Sequence, residues 1–256
     1  MPGTGEPFDL RGRVAVVTGG SRGIGRAVAE GFARAGADVV IASRKTDVCR
    51  SAAAEIHSLT GVQTLGVGCH VGHWEDCDRL VETVYGHFGS CDVLVNNAGM
   101  SPLYPDLPSV SAEYYDKVHA VNARGPFRLS VLFGSRMADG RGGSIINVSS
   151  AGSLRPTPAD LPYAMAKAAL NALTLGVAGA WAPKVRANLL LPGAFDTAIA
   201  EAWDPEAKAG AAARNPMGRI GQPEDLVGAC LFLASDYSRH VNGAQILVDG
   251  GAYRTL

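Results

Sequence analysis

Tyr163 and Lys167 lie four residues apart in LPYAMAK, residues 161–167. Both side chains titrate near pH ~10 when unperturbed, so neither is by itself an acid or base at neutral pH. Four apart on a helix they share one face. A lysine cation beside a phenol favours the phenolate. The pairing predicts a charged Lys167 and a Tyr163 whose pKa is drawn down toward the operating range of a general acid or base.

A second chemical motif lies near the N-terminus. TGGSRGIG, residues 18–25, carries Gly19, Gly23 and Gly25 in the spacing GxxxGxG. It differs from GxGxxG, but the physical task is the same: glycines admit close backbone approach, and a helix N-terminus offers free N–H groups to a pyrophosphate. Ser21, Arg22 and Ile24 complete the turn. An acid at the end of the following strand would accept from the ribose 2′-OH of NAD. Asp38 has nearly the right separation from Gly19 but stands at the start of DVVIAS, the wrong end. The other end reads Ser43, Arg44, Lys45. With Arg22, these residues suit a 2′-phosphate, so NADP(H) is the expected cofactor.

These motifs must be held by a scaffold, and the hydropathy pattern supplies one. Short apolar runs at 13–19, 38–43, 62–68, 91–99, 142–150, 185–193 and 244–251 read as strands. Helical patterns separate them, at 23–37, 48–61, 74–89, 111–138 (one long helix), 161–182 and 223–235. Strands apolar throughout, alternating with helices, predict an α/β fold: one doubly wound Rossmann-type domain with a mostly parallel sheet covered on both faces. Its ligand belongs outside the C-terminal strand ends. The domain is expected to span 1–256, with 1–12 a loose arm and 194–216 a substrate loop or lid, helical in its Ala-rich part at 198–215.

Composition narrows the function. With 47% hydrophobic and 18% charged residues and a net charge of −1, no basic excess points to nucleic acid. No apolar run is long enough to span a membrane and no signal peptide is seen. Five cysteines without CxxC spacing suggest reduced thiols in a cytoplasmic protein, not a disulfide framework or zinc site. The histidines form no HxxxH or HExxH cluster, so no metal is expected. Trp74, Trp181 and Trp203 read as packing residues.

TGGSRGIG, NNAG at 96–99, YxxxK at Tyr163 and Lys167, and the Pro192–Gly193 pair occur in this order. Together they resemble the short-chain dehydrogenase/reductase family over residues 10–252. The resemblance implies Ser150 and Asn122 as further catalytic residues. Ser149 is excluded because strand alternation points it to the opposite face. It also implies that Asn97, Ala98 and Gly99 line the floor, and that Pro192, Gly193, Phe195 and Thr197 hold the nicotinamide end. In the family an Asp-Val pair often follows the third strand, the acid binding the adenine amine; here His70 and Val71 stand there. The implied chemistry is hydride transfer from NADPH to a carbonyl. Tyr163 donates the proton, Ser150 holds the oxygen, Lys167 holds the ribose, and Asn122 steadies a water relay.

The substrate wall is expected from 100–107, 151–162 and 194–215. Met100, Leu103, Tyr104, Leu154, Leu161, Phe195, Ile199 and Trp203 favour an apolar ketone or 3-oxoacyl group. Arg155 is a candidate for an anionic group. The alternatives are an NAD-dependent dehydrogenase of a sugar or steroid-like alcohol, and a non-catalytic NADP(H)-binding regulator. Partners are a small molecule and copies of the chain itself. A tetramer or dimer would be built through helices at 113–138 and 162–182.

Overall fold

A computed structural model describes residues 8–197 and 204–255. Seven strands form one sheet: β1 (Val14–Thr18), β2 (Asp38–Ser43), β3 (Thr64–Gly68), β4 (Val93–Asn96), β5 (Gly143–Val148), β6 (Val185–Pro192) and β7 (Gln245–Val248). Their order is β3-β2-β1-β4-β5-β6-β7, and every neighbouring pair is parallel. The helices are α1 (Gly23–Arg34), α2 (Thr46–Thr60), α3 (Trp74–Phe88), α4 (Ala112–His119), α5 (Gly125–Asp139), α6 (Leu161–Ala180), α7 (Pro205–Arg214), α8 (Val227–Ala234) and α9 (Ala252–Thr255).

Strand alternation divides the core in two. Ala15, Val17, Val39, Ile41, Val93 and Val95 face α1, α2 and α8, meeting Val28, Phe32, Ile56 and Leu233. Val14, Val16, Val40, Leu94, Ile145 and Val185 face the opposite layer, meeting Leu80, Val84, Leu129, Phe133 and Val177 of α3, α5 and α6. Both faces of the central strands are covered, which is why these strands read as unbroken apolar runs. Each fully buried side chain of this size stabilises the fold by about 1.5–3 kcal/mol.

Strand order reverses between β1 and β4, so their onward connections leave to opposite sides and open a crevice at the C-terminal edge. The two ends of this strand pair differ. At the bottom, the Asp92 carboxylate accepts from Val14 N–H (2.9 Å) and from Arg141 (2.8 Å). At the top, Thr18 Oγ1 donates to Val95 O and accepts the N–H groups of Asn97 and Ala98 at 3.0 and 3.1 Å. Asn97 Nδ2 donates to Thr18 O at 2.9 Å.

The long helix expected over 111–138 is two helices. α4 and α5 are joined by a π-helical turn at Ala120–Arg124. Asn122 is the reason: its Nδ2 donates to Val118 O at 2.9 Å, taking the carbonyl four residues back that a regular α-turn gives to the backbone N–H. The helix over 223–235 also tightens at its start, with a 3-10 turn at Pro223–Leu226 before α8. In the expected lid helix, residues 204–215 are described and α7 occupies Pro205–Arg214; Ile199 and Trp203 lie outside the described residues.

Candidate active site

The glycine loop runs from the end of β1 into α1, at the mouth of the crevice. Its three glycines do different things. A Cβ on Gly25 would lie 2.3 Å from Gly19 O and 2.5 Å from Asn97 Nδ2, so this glycine is required by packing. Gly19 has φ +65° and a Cβ there would meet Asn97 Nδ2 at 2.8 Å. A Cβ on Gly23, at φ +55°, would meet, among the described residues beyond its chain neighbours, only Thr197 within 4 Å, at 3.9 Å. Gly23 combines a left-handed backbone with open space, the combination that admits a ligand. The N-terminus of α1 suits an anion: Arg22 at the N-cap makes no side-chain capping bond and the first turn holds no acid. The residues present therefore fit a dinucleotide pyrophosphate. Ile24 turns its side chain into the core beneath, leaving its backbone at the helix end.

At the end of β2, Ser43 Oγ accepts from Ser21 Oγ at 3.1 Å and contacts Cys49 Sγ at 3.0 Å. Arg22, Arg44 and Lys45 are exposed, and among the described residues no carboxylate pairs with any of them. Asp38 sits at the far end of β2, where it accepts from Gln63 N–H. At the end of β3, His70 is half-buried and stacked on His73 at 4.2 Å. Burial, then the neighbouring His73, hold its pKa below the ordinary value, with Arg44 adding to the effect. Its Nδ1 accepts Gly72 N–H at 3.2 Å, which leaves Nε2 as the protonated nitrogen of the neutral ring. An acid is present after all, one turn on: Asp76 accepts His70 N–H at 2.9 Å and fixes this segment. Val71 is buried against Gly125, where an added Cβ would strike Val71 O at 2.1 Å.

The catalytic candidates converge from three elements. Ser150 follows β5, Tyr163 and Lys167 share one face of α6, and Asn122 comes from the π turn. Ser150 Oγ accepts Gly152 N–H at 3.1 Å and lies within hydrogen-bonding reach of the Tyr163 phenol. Ser149 points away and is buried, donating to Asn171 Oδ1 at 2.6 Å. Lys167 is 2% exposed; its Nζ donates to Val148 O at 2.7 Å and lies 5.7 Å from the Tyr163 ring centroid. Asn122 is fully buried, accepting from Met100 N–H at 3.3 Å and donating to Met100 O at 2.8 Å. A Cβ on Gly99 would lie 3.0 Å from Asn122 Oδ1 and 3.6 Å from Lys167 Nζ, so Gly99 leaves open the space between them.

The electrostatics overturn one expectation. Tyr163 is pushed up to about 12, mainly by burial, with the Ser150 hydrogen bond pulling down and the charge of Asp160 pushing up. Burial holds Lys167 down at about 8. The lysine ammonium hydrogen-bonds a main-chain carbonyl and stands off the ring, and burial sets the direction of the shift for both groups. The phenol is held protonated.

Around this centre, Tyr104 joins two of the expected wall loops: its hydroxyl donates to Pro158 O at 2.5 Å and accepts Leu161 N–H at 3.1 Å. Leu103 is 66% exposed, and Met100, Leu154 and Leu161 are half-buried. Phe195 is not a wall residue. Its ring is buried in the core against Gly221, so only its backbone remains for a ligand. Pro192 is buried at the end of β6, Gly193 N–H donates to Val248 O, and Thr197 faces Gly23. Arg155 donates to Tyr253 O at 2.9 Å, which ties the loop after Ser150 to α9. Two polar residues at the mouth escaped the sequence reading. Thr18 opens the glycine motif, but nothing in its type or spacing marked its side chain as a bridge between β1 and β4; Asp160, at the start of α6, reads as an ordinary helix cap, yet its side chain caps nothing.

A family model described as enoyl-(acyl carrier protein) reductase matches residues 19–253. L-rhamnose 1-dehydrogenase (NAD(P)(+)) of Azotobacter vinelandii is 39% identical over 95% of this chain and 98% of its own. Human dehydrogenase/reductase SDR family member 4 is 35% identical over 94% and 88%. The crystal structure of a putative NAD(P)-dependent gluconate 5-dehydrogenase from Beutenbergia cavernae, with bound NADP at low occupancy, superposes with TM-score 0.91. It is 38% identical, covering 96% of this chain and 99% of that one. The chain belongs to the short-chain dehydrogenase/reductase family. It is an oxidoreductase of alcohols and carbonyls, working with a nicotinamide cofactor.

Proposed function

We propose that the chain is an NADP(H)-preferring enzyme that interconverts a carbonyl and a secondary alcohol, with Tyr163 as its proton donor and acceptor. The observation that carries this reading is the convergence of Ser150 and Tyr163 oxygens in one cleft, with Lys167 buried behind them. When bound, the reduced nicotinamide supplies a hydride to the carbonyl carbon. Tyr163 gives its proton to the developing alkoxide, a task for which a phenol held protonated is suited. Ser150 donates to the same oxygen and orients the carbonyl. Lys167 holds the nicotinamide ribose and keeps a positive charge near the phenol. Asn122 braces residues 99 and 100 and, with Lys167, borders the space for a proton relay. Gly19, Ser21, Gly23, Ile24 and Gly25 hold the pyrophosphate. His70 and Val71 border the adenine, Asn97, Ala98 and Gly99 the floor, and Gly193, Thr197 and the Phe195 backbone the nicotinamide end.

Arg22, Arg44 and Lys45, three cations beside Ser43 without an acidic partner among the described residues, favour a 2′-phosphate. Fluorescence titration with NADPH and NADH tests this. NADPH should bind more tightly, and Arg22→Ala with Arg44→Ala should cost NADPH about tenfold to a hundredfold in affinity while leaving NADH nearly unchanged. Equal binding of the two cofactors by the parent would sink the preference.

A sugar alcohol as substrate, with NAD or NADP, is the second reading, favoured by the rhamnose and gluconate dehydrogenases among the similar proteins. A purely regulatory binder is the third, and Tyr163→Phe tests it. Unchanged turnover of a carbonyl by that variant would remove the catalytic assignment. The exposed Tyr115 and Phe127 on α4–α5, and Met165 and Leu175 on α6, favour a dimer or tetramer built through these helices.

A further inference from the structure

One carboxylate stands beside the reacting oxygens. Asp160 occupies the N-cap position of α6, half-buried, but no helix N–H donates to its side chain. Its Oδ1 is instead saturated by Thr157, which donates its N–H at 2.8 Å and its Oγ1 hydroxyl at 2.7 Å. Among the described residues Oδ2 has neither a hydrogen-bond donor nor a cation. This oxygen faces the catalytic serine. A Cβ on Gly152 would lie 2.9 Å from Asp160 Oδ2 and 3.3 Å from Ser150 Oγ, so the two oxygens look onto one point. Gly152, lacking a side chain, puts no atom of its own between the two oxygens at that point. The carboxylate is also close enough to Tyr163 to push the phenol upward.

The chemistry that satisfies such an oxygen is narrow. A carboxylate accepts and does not donate. A substrate bearing its own carboxylate would meet like charge there. An apolar ketone would cover the oxygen without offering a donor, leaving a desolvated charge unpaired. A hydroxyl on the carbon next to the reacting one offers a donor within a few ångströms of the oxygen that Ser150 and Tyr163 hold.

We propose that Asp160 is a specificity-determining residue that accepts a hydrogen bond from a substrate hydroxyl neighbouring the reacting carbon, and that the substrate class is a neutral polyhydroxy compound. The inference rests on Ser150 and Tyr163 being the reacting centre. It turns away from the apolar ketone or 3-oxoacyl group that the wall residues suggested, and equally from an aldonate.

Thr157 makes the test clean. Its two donors hold the acceptor Oδ1 in place, so in Asp160→Asn the amide oxygen must stay with Thr157 and Nδ2 takes the position of Oδ2. A donor then replaces a charged acceptor at nearly constant shape. We would measure kcat and KM of the parent and of Asp160→Asn on three matched substrates: a neutral aldose or polyol, an aldonate and an apolar secondary alcohol. The parent should favour the neutral polyhydroxy substrate. In Asp160→Asn its kcat/KM should fall about tenfold to a hundredfold relative to the apolar alcohol, mostly through KM, and the aldonate should gain on it. An unchanged ratio among the three, or a parent that prefers the aldonate or the apolar alcohol, overturns the inference. Turnover lost in Tyr163→Phe but keeping its ratios in Asp160→Asn sinks this inference alone; turnover retained in Tyr163→Phe sinks the catalytic reading. Should Asp160→Asn not fold, Thr157→Val serves instead. It removes one of the two donors that fix the carboxylate and should narrow the discrimination; unchanged discrimination counts against the inference.

Discussion

At the scale of single residues, the site shifts two ionisable groups in opposite directions through burial. Tyr163 should ionise near the value of about 12 that its burial imposes. The alkaline difference spectrum of the parent minus Tyr163→Phe reads that ionisation directly. Addition of the oxidised cofactor, whose nicotinamide ring is cationic, should move it down; a Tyr163 ionising at the free-tyrosine value would show that burial does not control it. Loss of the phenol should cost turnover about a hundredfold to ten-thousandfold while cofactor binding persists. Lys167 makes a second, opposite prediction. Its folded pKa of about 8 lies below its unfolded value, so the unfolded chain binds more protons between the two. The penalty is full below the folded pKa and fades as pH rises through the window to the unfolded value. Lys167→Met should therefore gain melting temperature relative to the parent at about pH 7, and the gain should shrink by about pH 10.

At the scale of elements, the glycine loop separates packing from binding. Gly25→Ala forces a methyl onto Gly19 O and should destabilise the β1–α1 turn itself. Gly23→Ala meets open space and should fold, at a cost of about 1–2 kcal/mol for its left-handed backbone, while losing cofactor affinity. Denaturant melts and cofactor titration of the two variants tell these outcomes apart. The π turn invites a similar test. Asn122→Ala strands Met100 O, Met100 N–H and Val118 O, and should cost about 2–4 kcal/mol of stability together with a fall in kcat. Sequence periodicity could not reveal this turn. The apolar pattern runs on through Val118, Val121 and Leu129, while the widening goes with the Asn122 side chain, which takes Val118 O and is held by its bonds to Met100.

At the scale of the whole molecule, the central strands have no exposed face to spare, so partners must use helices or edges. Tyr115 and Phe127 keep more than a third of their surface exposed on α4–α5, and Leu175 does so on α6. Phe127→Glu should shift the sedimentation of an assembled protein toward the monomer without changing its circular dichroism. A parent that sediments as a monomer would remove the proposed interface.

The order of motifs and the alternation of buried runs were legible in the sequence because both are local: a strand's two faces and a helix's one face are written at fixed periods. They were enough for the parallel doubly wound sheet, the glycine loop and the grouping of Tyr163 with Lys167. What the sequence could not express was the balance between burial and charge. Adjacency in LPYAMAK suggested that lysine would draw the phenol down; the depth of the cleft, set by three separate elements, holds it up at about 12. The same holds for Phe195, whose ring the fold turns into the core, and for Asp160. Its free oxygen is decided by the bend that brings Thr157 onto one side of the carboxylate and Ser150 toward the other. Periodicity determines which residues share a face; only packing decides what dielectric and which partners they meet there.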